Sequence, residues 1–361
     1  MVSQSLALGE AISNSPAGKQ APERVYNLER MKLGLVAFFC AALPAAFAQV
    51  ATPGPTARQN QGGGDDFGVY QVQPNFYMIA GAGGNIGVQI GRDGVVLVDS
   101  GAPNMSDRIL AAIRKITDAP IRYIINTSAD IDHVGGNEAI AKAGENLASD
   151  QGENQSGSKG GPASILSTEA VLDRLSAPTG KQSAFPVAAW PTETFFSNQK
   201  AMYLNREAIV VTAEPNAHGD GDAIVFFRRS DVIVAGEILD MTRFPVIDVD
   251  KGGSIQGEVA ALNHLVDLAV PSVPLIWEDG GTYVIPARGF ICDQADIVEY
   301  RDMITIIRDN VQALIKKGMT LEQIKAANPT KGFRAQYGRE SGPWTTDMFV
   351  EAIYKGLTAK K

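Results

Sequence analysis

Residues 121–140, IRYIINTSADIDHVGGNEAI, join three local signals with no spacer between them. The run IRYIIN is rich in β-branched and aromatic residues and reads as a strand. A short polar loop follows, then the pair Asp132-His133, then Gly135-Gly136, and the chain returns to helical patterning. A strand that ends on such residues delivers polar side chains to one edge of a sheet, where α/β proteins concentrate their chemistry. The second half of the loop has the composition of a metal-binding turn. The first half carries Ser128 and Asp130, where a metal site of that shape would want imidazoles.

The flanks predict the architecture. Strand-forming runs FGVYQV, FYMIAG, NIGVQIG and GVVLVDSG succeed one another upstream, and Arg92-Asp93-Gly94 is a hairpin turn signal between the last two. Residues 105–117 have a helical face made by Ile109, Ile113 and Ile116. Downstream, EAIVVTAEP and DAIVFFRRSDVIVAGE return to strand patterning, a helix is expected near 254–269, and TYVIPARG is a further strand. Residues 144–162 are polar and low in complexity, as a surface loop would be. From about 295 the chain is helical; Thr320 with Gln323 forms a capping box, and Pro343 with Thr345 and Thr346 opens the last helix. Each half thus runs strands, helix, strand, which predicts a layered α/β sandwich of two similar units.

Chemistry-bearing residues are few. Of three histidines, His264 lies within a helical run and has no ligand spacing, so it reads as structural or exposed. His133 and His218 both sit where a strand gives way to a loop. The glycines of GAGGN, 81–85, fall in a hairpin with no helix behind them and read as a turn rather than a phosphate cradle. Trp190, Phe195 and Phe196 beside a strand read as core, and Cys292 as a buried small hydrophobe.

The order of these features resembles the metallo-β-lactamase fold superfamily. In that family a strand leads into T-H-x-H-x-D-H-x-G-G-N, with H-x-x-G-D, G-D and G-H-G following later strands. Here the corresponding segments are NTSADIDHVGGN, NAHGDGD, AGE and PARG, with VVLVDSGAP and RFPVIDVDKGGSIQG as further flanks. The likeness spans about residues 66–300. It implies an α/β fold, an αββα sandwich of two mixed sheets flanked by helices, with a C-terminal helical extension. It also implies hydrolysis of an ester, amide, lactam or thioester by metal-activated water.

Carried over position by position, the likeness places Ser128, Asp130 and His218 where the family has three histidines. Asp132, His133 and Arg288 fall where it has Asp, His and His, and Glu237 falls at the bridging Asp. Asp132, His133 and His218 match; Ser128, Asp130, Glu237 and Arg288 do not. A serine hydroxyl is neutral and a poor zinc ligand, whereas Asp130 and Glu237 keep carboxylate donors. Arg288 is always protonated and has no lone pair to give. Two readings follow. In one, a single ion (zinc by resemblance, with Mn or Fe suited to the oxygen-rich set) binds among Asp130, Asp132, His133, His218 and Glu237, and Asp132 orients the water or accepts a proton. In the other no metal is held, and Arg288 pairs with Asp132 or Glu237 in a non-catalytic binding or regulatory relative.

The remaining expectations come from the N-terminus and from charge. MKLGLVAFFCAALPAAFAQVA, from Met31, has a lysine, an apolar run and a small-x-small site, the pattern of a signal peptide cleaved near Ala48. The run is too short for a bilayer span of roughly 20 residues. Export to a periplasmic or extracellular space without a stable membrane anchor is therefore expected. Residues 1–30 read as an over-extended start, 49–66 as a flexible leader, 67–294 as the sandwich domain and 295–361 as the helical extension. Once Cys40 leaves with the signal, Cys292 is alone and has no disulfide partner. The net charge of −8 with no basic stripe argues against nucleic acid, leaving a small-molecule substrate or ligand as the expected partner.

Overall fold

Val95 and Leu97 face one side of their strand, Val96 and Val98 the other, and none of the four is exposed. Such two-sided burial places a strand inside a stack of layers, because each face must find an apolar partner. The computed structural model describes residues 67–147, 160–272 and 280–359. The expected signal segment and leader lie outside the described residues, as does the middle of the low-complexity loop.

The chain begins with an antiparallel meander of β1 (Gly68–Gln73), β2 (Phe76–Ala82), β3 (Gly84–Gly91) and β4 (Gly94–Val98). Helix α1 (Ser106–Arg114) then leads to β5 (Ile121–Ile125), parallel to β4. Two short helices, α2 (Ile131–Val134) and α3 (Asn137–Ala143), precede β6 (Ser164–Thr168) and α4 (Glu169–Ser176). After a small hairpin, β7 (Pro178–Thr179) with β8 (Gln182–Ser183), β9 (Glu193–Phe195) closes a seven-stranded sheet ordered β1-β2-β3-β4-β5-β6-β9.

The second sheet has five strands in chain order: β10 (Gln199–Leu204), β11 (Glu207–Ala213), β12 (Ala223–Phe227), β13 (Val232–Asp240) and β14 (Tyr283–Arg288). Helix α5 (Ile255–Leu268) is the crossover between β13 and β14, which pair in parallel. Pro286 is tolerated in β14 because that strand is the sheet's edge. Four helices follow: α6 (Gln294–Lys316), α7 (Leu321–Ala326), α8 (Arg334–Tyr337) and α9 (Thr346–Thr358). The expected capping box at Thr320 and Gln323 is present, and a second one starts α6 at Asp293 and Asp296.

The three largest apolar clusters among the described residues follow from this order. Between the sheets, Phe76, Met78, Val96, Val98, Ile125 and Leu166 meet Ile209, Val211, Val225, Phe227, Val234 and Ile285. Phe76 and Phe227 touch edge to face across the gap, with centroids 4.8 Å apart. On the outer face of the first sheet, Val95, Leu97 and Ile124 pack on Ile109, Ile113 and Ile140 of the helices. On the outer face of the second, Ile224, Ile233 and Ala235 pack on α5, α6 and α9. The result is helix, sheet, sheet, helix, as the motif order predicts. Burying one such Val, Leu or Ile contributes about 1.5–3 kcal/mol before entropy is subtracted.

Candidate functional site

Strands β4 and β5 run parallel in one sheet, and β11, β13 and β14 share a direction in the other. Their C-terminal ends carry the polar residues. Asp99, next after β4, adopts φ 67°, a left-handed conformation that Asp tolerates through its short side chain. Its carboxylate accepts the Thr127 N–H at 2.8 Å and the Thr127 hydroxyl at 2.7 Å, and lies 2.7 Å from Nδ1 of His133.

His133 is fully buried, and its Nε2 lies 2.7 Å from Oε1 of Glu237. Ionised carboxylates only accept hydrogen bonds, so both ring nitrogens carry protons and the ring is an imidazolium. Burial alone would weaken its hold on the second proton, but Asp99 and Glu237 override that and keep it well above the ordinary histidine range.

Glu237 reaches His133 because Gly236 bends the strand. Gly236 has φ 55°, the β13–β14 register shifts there, and a Cβ on it would lie 2.6 Å from the Thr127 hydroxyl oxygen. Only glycine fits both demands. The register then pairs Asp240 with Arg288 at the strand ends. Arg288 Nη1 donates to Glu237 Oε1 at 2.8 Å and to Asp240 Oδ2 at 3.2 Å, while its Nη2 donates to Asp132. Arg243 adds a second guanidinium, with Nε 2.8 Å from Asp240 Oδ2. Burial would raise the Glu237 carboxyl; His133 and Arg288 instead hold it well below the usual carboxylate range.

A second pair stands beside this cluster. His218 donates from Nδ1 to the Val246 carbonyl at 2.8 Å and from Nε2 to Asp130 Oδ2 at 2.9 Å. Burial opposes its charge, yet Asp130, Asp222 and Glu237 push it up to about 10. Asp130 is buried enough to rise, but the bond from His218 lowers it instead. Ser128 is buried and uses its hydroxyl oxygen to accept the Asp130 N–H at 3.2 Å. Behind the pair, Asp222 accepts the Gly219 N–H at 2.6 Å, and burial pushes it up to about 6 against the pull of His218. Deeper still is Glu258 on α5, with no exposure and no hydrogen-bond partner for either oxygen among the described residues. Burial and Asp222 push its carboxyl well above the usual range.

All seven positions singled out in the sequence therefore lie at one sheet edge, but in two groups. Asp132, His133 and Glu237 present ligand atoms within 4.8 Å of one another, with Arg288 bonded to two of the three. Asp130 and His218 form a separate ion pair over Ser128. His264 is on α5 and pairs with Glu214, away from both groups. Cys292 is free and buried, Phe195 belongs to the core, and Phe196 stands out in solvent.

Sequence reasoning missed Asp240, Arg243, Asp222 and Glu258, and gave Asp99 no role. The near-continuous apolar pattern of β13 ending on Asp240 was a usable signal, because a charge closing a buried strand needs a partner. GAGGN is the expected turn, and it is also a wall of the site. A Cβ on Gly83, whose φ is 103°, would lie 3.0 Å from the Asp132 Cβ.

The sequence matches no curated protein, but the metallo-beta-lactamase superfamily profile matches residues 79–271. Among solved structures, the stereoselective inverting sec-alkylsulfatase Pisa1 from Pseudomonas sp. is similar with a TM-score of 0.54 and 14% identity. A double mutant of that sulfatase gives 0.56 and 13%. Both matches cover 80% of this chain and 50% of the sulfatase, so this chain spans half the length of that relative. A metallo-beta-lactamase from Pontibacter korlensis matches over 66% of this chain and 99% of its own, with 15% identity and a TM-score of 0.49. The likeness to the sulfatase structures is one of fold. With the family profile covering more than half of the sequence, the chain belongs to the metallo-beta-lactamase superfamily, a hydrolase family whose members typically bind metal.

Proposed function

We propose that this protein is an exported member of the superfamily in which Arg288 stands where a second metal would be held, so that the site binds a small polar or anionic molecule without metal-activated water. The observation that carries this reading is the Arg288 guanidinium itself, shared among Asp132, Glu237 and Asp240. A dication placed among the same carboxylates would sit against a fixed positive charge and would have to displace it. His133 is also committed, with one ring nitrogen on Asp99 and the other on Glu237. At the first-metal positions Ser128 supplies no anionic donor, and His218 has both nitrogens engaged as donors. The residues present do not fit the family's two-metal centre.

The chain's own residues suggest what the pocket does instead. Arg288 and Arg243 each leave 21% of the side chain exposed and Lys251 leaves 50%, so cationic surface faces solvent beside the paired carboxylates. Such a surface selects polar or anionic groups through charge-assisted hydrogen bonds. The export assignment rests on the signal pattern at 31–48.

A second reading is favoured by one observation, the Asp132, His133 and Glu237 triad with its 4.8 Å spread. One ion held there would need Nε2 of His133 freed from Glu237 and Arg288 turned away.

Elemental analysis of the purified protein, before and after incubation with zinc, manganese and iron followed by dialysis, tests the two readings. The proposal expects no retained metal. Retention of about one equivalent overturns it in favour of the mononuclear reading. The combined variant Ser128→His, Asp130→His, Glu237→Asp and Arg288→His should gain metal in the same assay. N-terminal sequencing of the exported protein should begin at Gln49; retention of residues 31–48 would refute cleavage there.

A further inference from the structure

The segment 241–248 links the end of β13 to the turn before α5 and touches the site at both of its ends. Near its start, Arg243 donates to Asp240. Near its end, the Val246 carbonyl accepts Nδ1–H of His218 at 2.8 Å, and the Asp248 N–H donates to the His218 carbonyl at 2.9 Å.

Its middle is held by the C-terminal helices. Phe244 is 2% exposed; its ring stacks on Phe349 of α9 with centroids 4.9 Å apart and planes 8° from parallel, and lies 6.1 Å from the ring of Tyr337 of α8. The Phe244 N–H donates to the Tyr337 carbonyl at 3.2 Å. The Arg243 carbonyl accepts from the Tyr300 hydroxyl of α6 at 3.2 Å, and the Thr242 carbonyl accepts from Arg339 Nη2 at 2.6 Å.

We infer that the helices beyond residue 294 form part of the site's framework, and that Phe244 is the positioning residue through which they set the Val246 carbonyl against His218. A carbonyl only accepts, so the Val246 oxygen keeps a proton on Nδ1 and turns Nε2 toward Asp130. A connecting segment is ordinarily the most mobile part of a domain, and this one is immobilised by an aromatic anchor and three hydrogen bonds from residues more than fifty positions downstream. Across residue 294 the packing is continuous: Tyr300, Ile304 and Phe349 share one buried cluster with Ile238, Phe244 and Leu262. The inference does not depend on whether the pocket holds a metal, because it concerns only how His218 is held.

The test uses the full-length chain labelled with nitrogen-15. In the parent, the Nδ1–H proton of His218 should give a resolved, slowly exchanging signal. Phe244→Leu keeps the position apolar but removes the stacked ring, and should speed that exchange by roughly tenfold or more as the segment opens locally. Phe349→Leu acts on the same stack from outside the site and should shift exchange in the same direction. The imidazole protons of His133, anchored by Asp99 and Glu237, should keep the parent's exchange rate in both variants. Should either core variant fail to fold, Arg339→Gln, which removes the bond to the Thr242 carbonyl along with a local one to the Gly338 carbonyl and leaves the aromatic stack intact, decides the matter through a smaller acceleration of the same sign. Folded variants whose His218 signal exchanges at the parent's rate would overturn the inference. Equal acceleration at His133 and His218 would overturn it as well, since that would mark general loosening.

Discussion

Replacing Arg288 by methionine keeps an unbranched side chain of similar reach and removes the guanidinium. Three carboxylates then lose a partner: Glu237 and Asp240, each 2% exposed in the side chain, and Asp132 at 22%. Breaking a buried ion pair from one side costs about 3–5 kcal/mol, chiefly through the stranded charge. Two features reduce that figure here. His133 still holds Glu237 and Arg243 still holds Asp240, and the Asp132 end is open to water. A loss of about 3 kcal/mol is expected in urea denaturation with an unchanged m-value, or a fall of roughly 6–9 °C in melting temperature for a domain of this size. The variant's uncompensated carboxylates should also respond to cations. Millimolar zinc or manganese should restore up to about 2–3 kcal/mol to Arg288→Met, by binding the folded state alone, and leave the parent unchanged. A variant within about 0.5 kcal/mol of the parent would refute the view that the guanidinium neutralises the cluster. Equal stabilisation of parent and variant by the metal would refute the replacement argument.

Three further outcomes follow from the same geometry. Gly236→Ala meets the Thr127 hydroxyl oxygen at 2.6 Å in a φ 55° backbone and should destabilise by about 2 kcal/mol or more, measured by urea midpoint. Glu258 is buried without a hydrogen-bond partner among the described residues, and its raised folded pKa means that its destabilising effect grows as pH climbs above the ordinary carboxylate value; Glu258→Met should therefore be more stable than the parent by about 1 kcal/mol or more at pH 8, with a smaller gain at pH 4. His218 is shifted up to about 10, so its contribution is fully present below the ordinary histidine value near 6.5 and is lost as pH rises through about 10. The parent should lose stability between pH 8 and pH 10.5 more steeply than His218→Gln, and parallel pH profiles would count against the ion pair with Asp130.

The sequence by itself determined the layers and which residues gather at one sheet edge as a candidate site. Apolar runs at β spacing, the Asp-His-Gly-Gly loop directly after a strand, and the order of the later strand-end motifs are all local patterns. Local backbone chemistry reads them, as it reads the Thr320 capping box and the Arg92-Asp93 turn. The identity of residue 288 was equally plain, and with it the exclusion of a metal-ligating lone pair at that position. What the tertiary structure decided is which charge meets which. Arg288 takes Asp240 as well as Asp132 and Glu237 because a bulge at Gly236 and a parallel register bring the ends of β13 and β14 side by side. His133 is clamped between Asp99 and Glu237, residues 34 and 104 positions away. Ser128 and Asp130 keep their local hydrogen bond, but the partner of Asp130 comes from the other sheet. Electrostatic partners are chosen by distance and burial, which no spacing along the chain encodes, and so the pairing that gives this site its charge pattern exists only once both sheets have closed on each other.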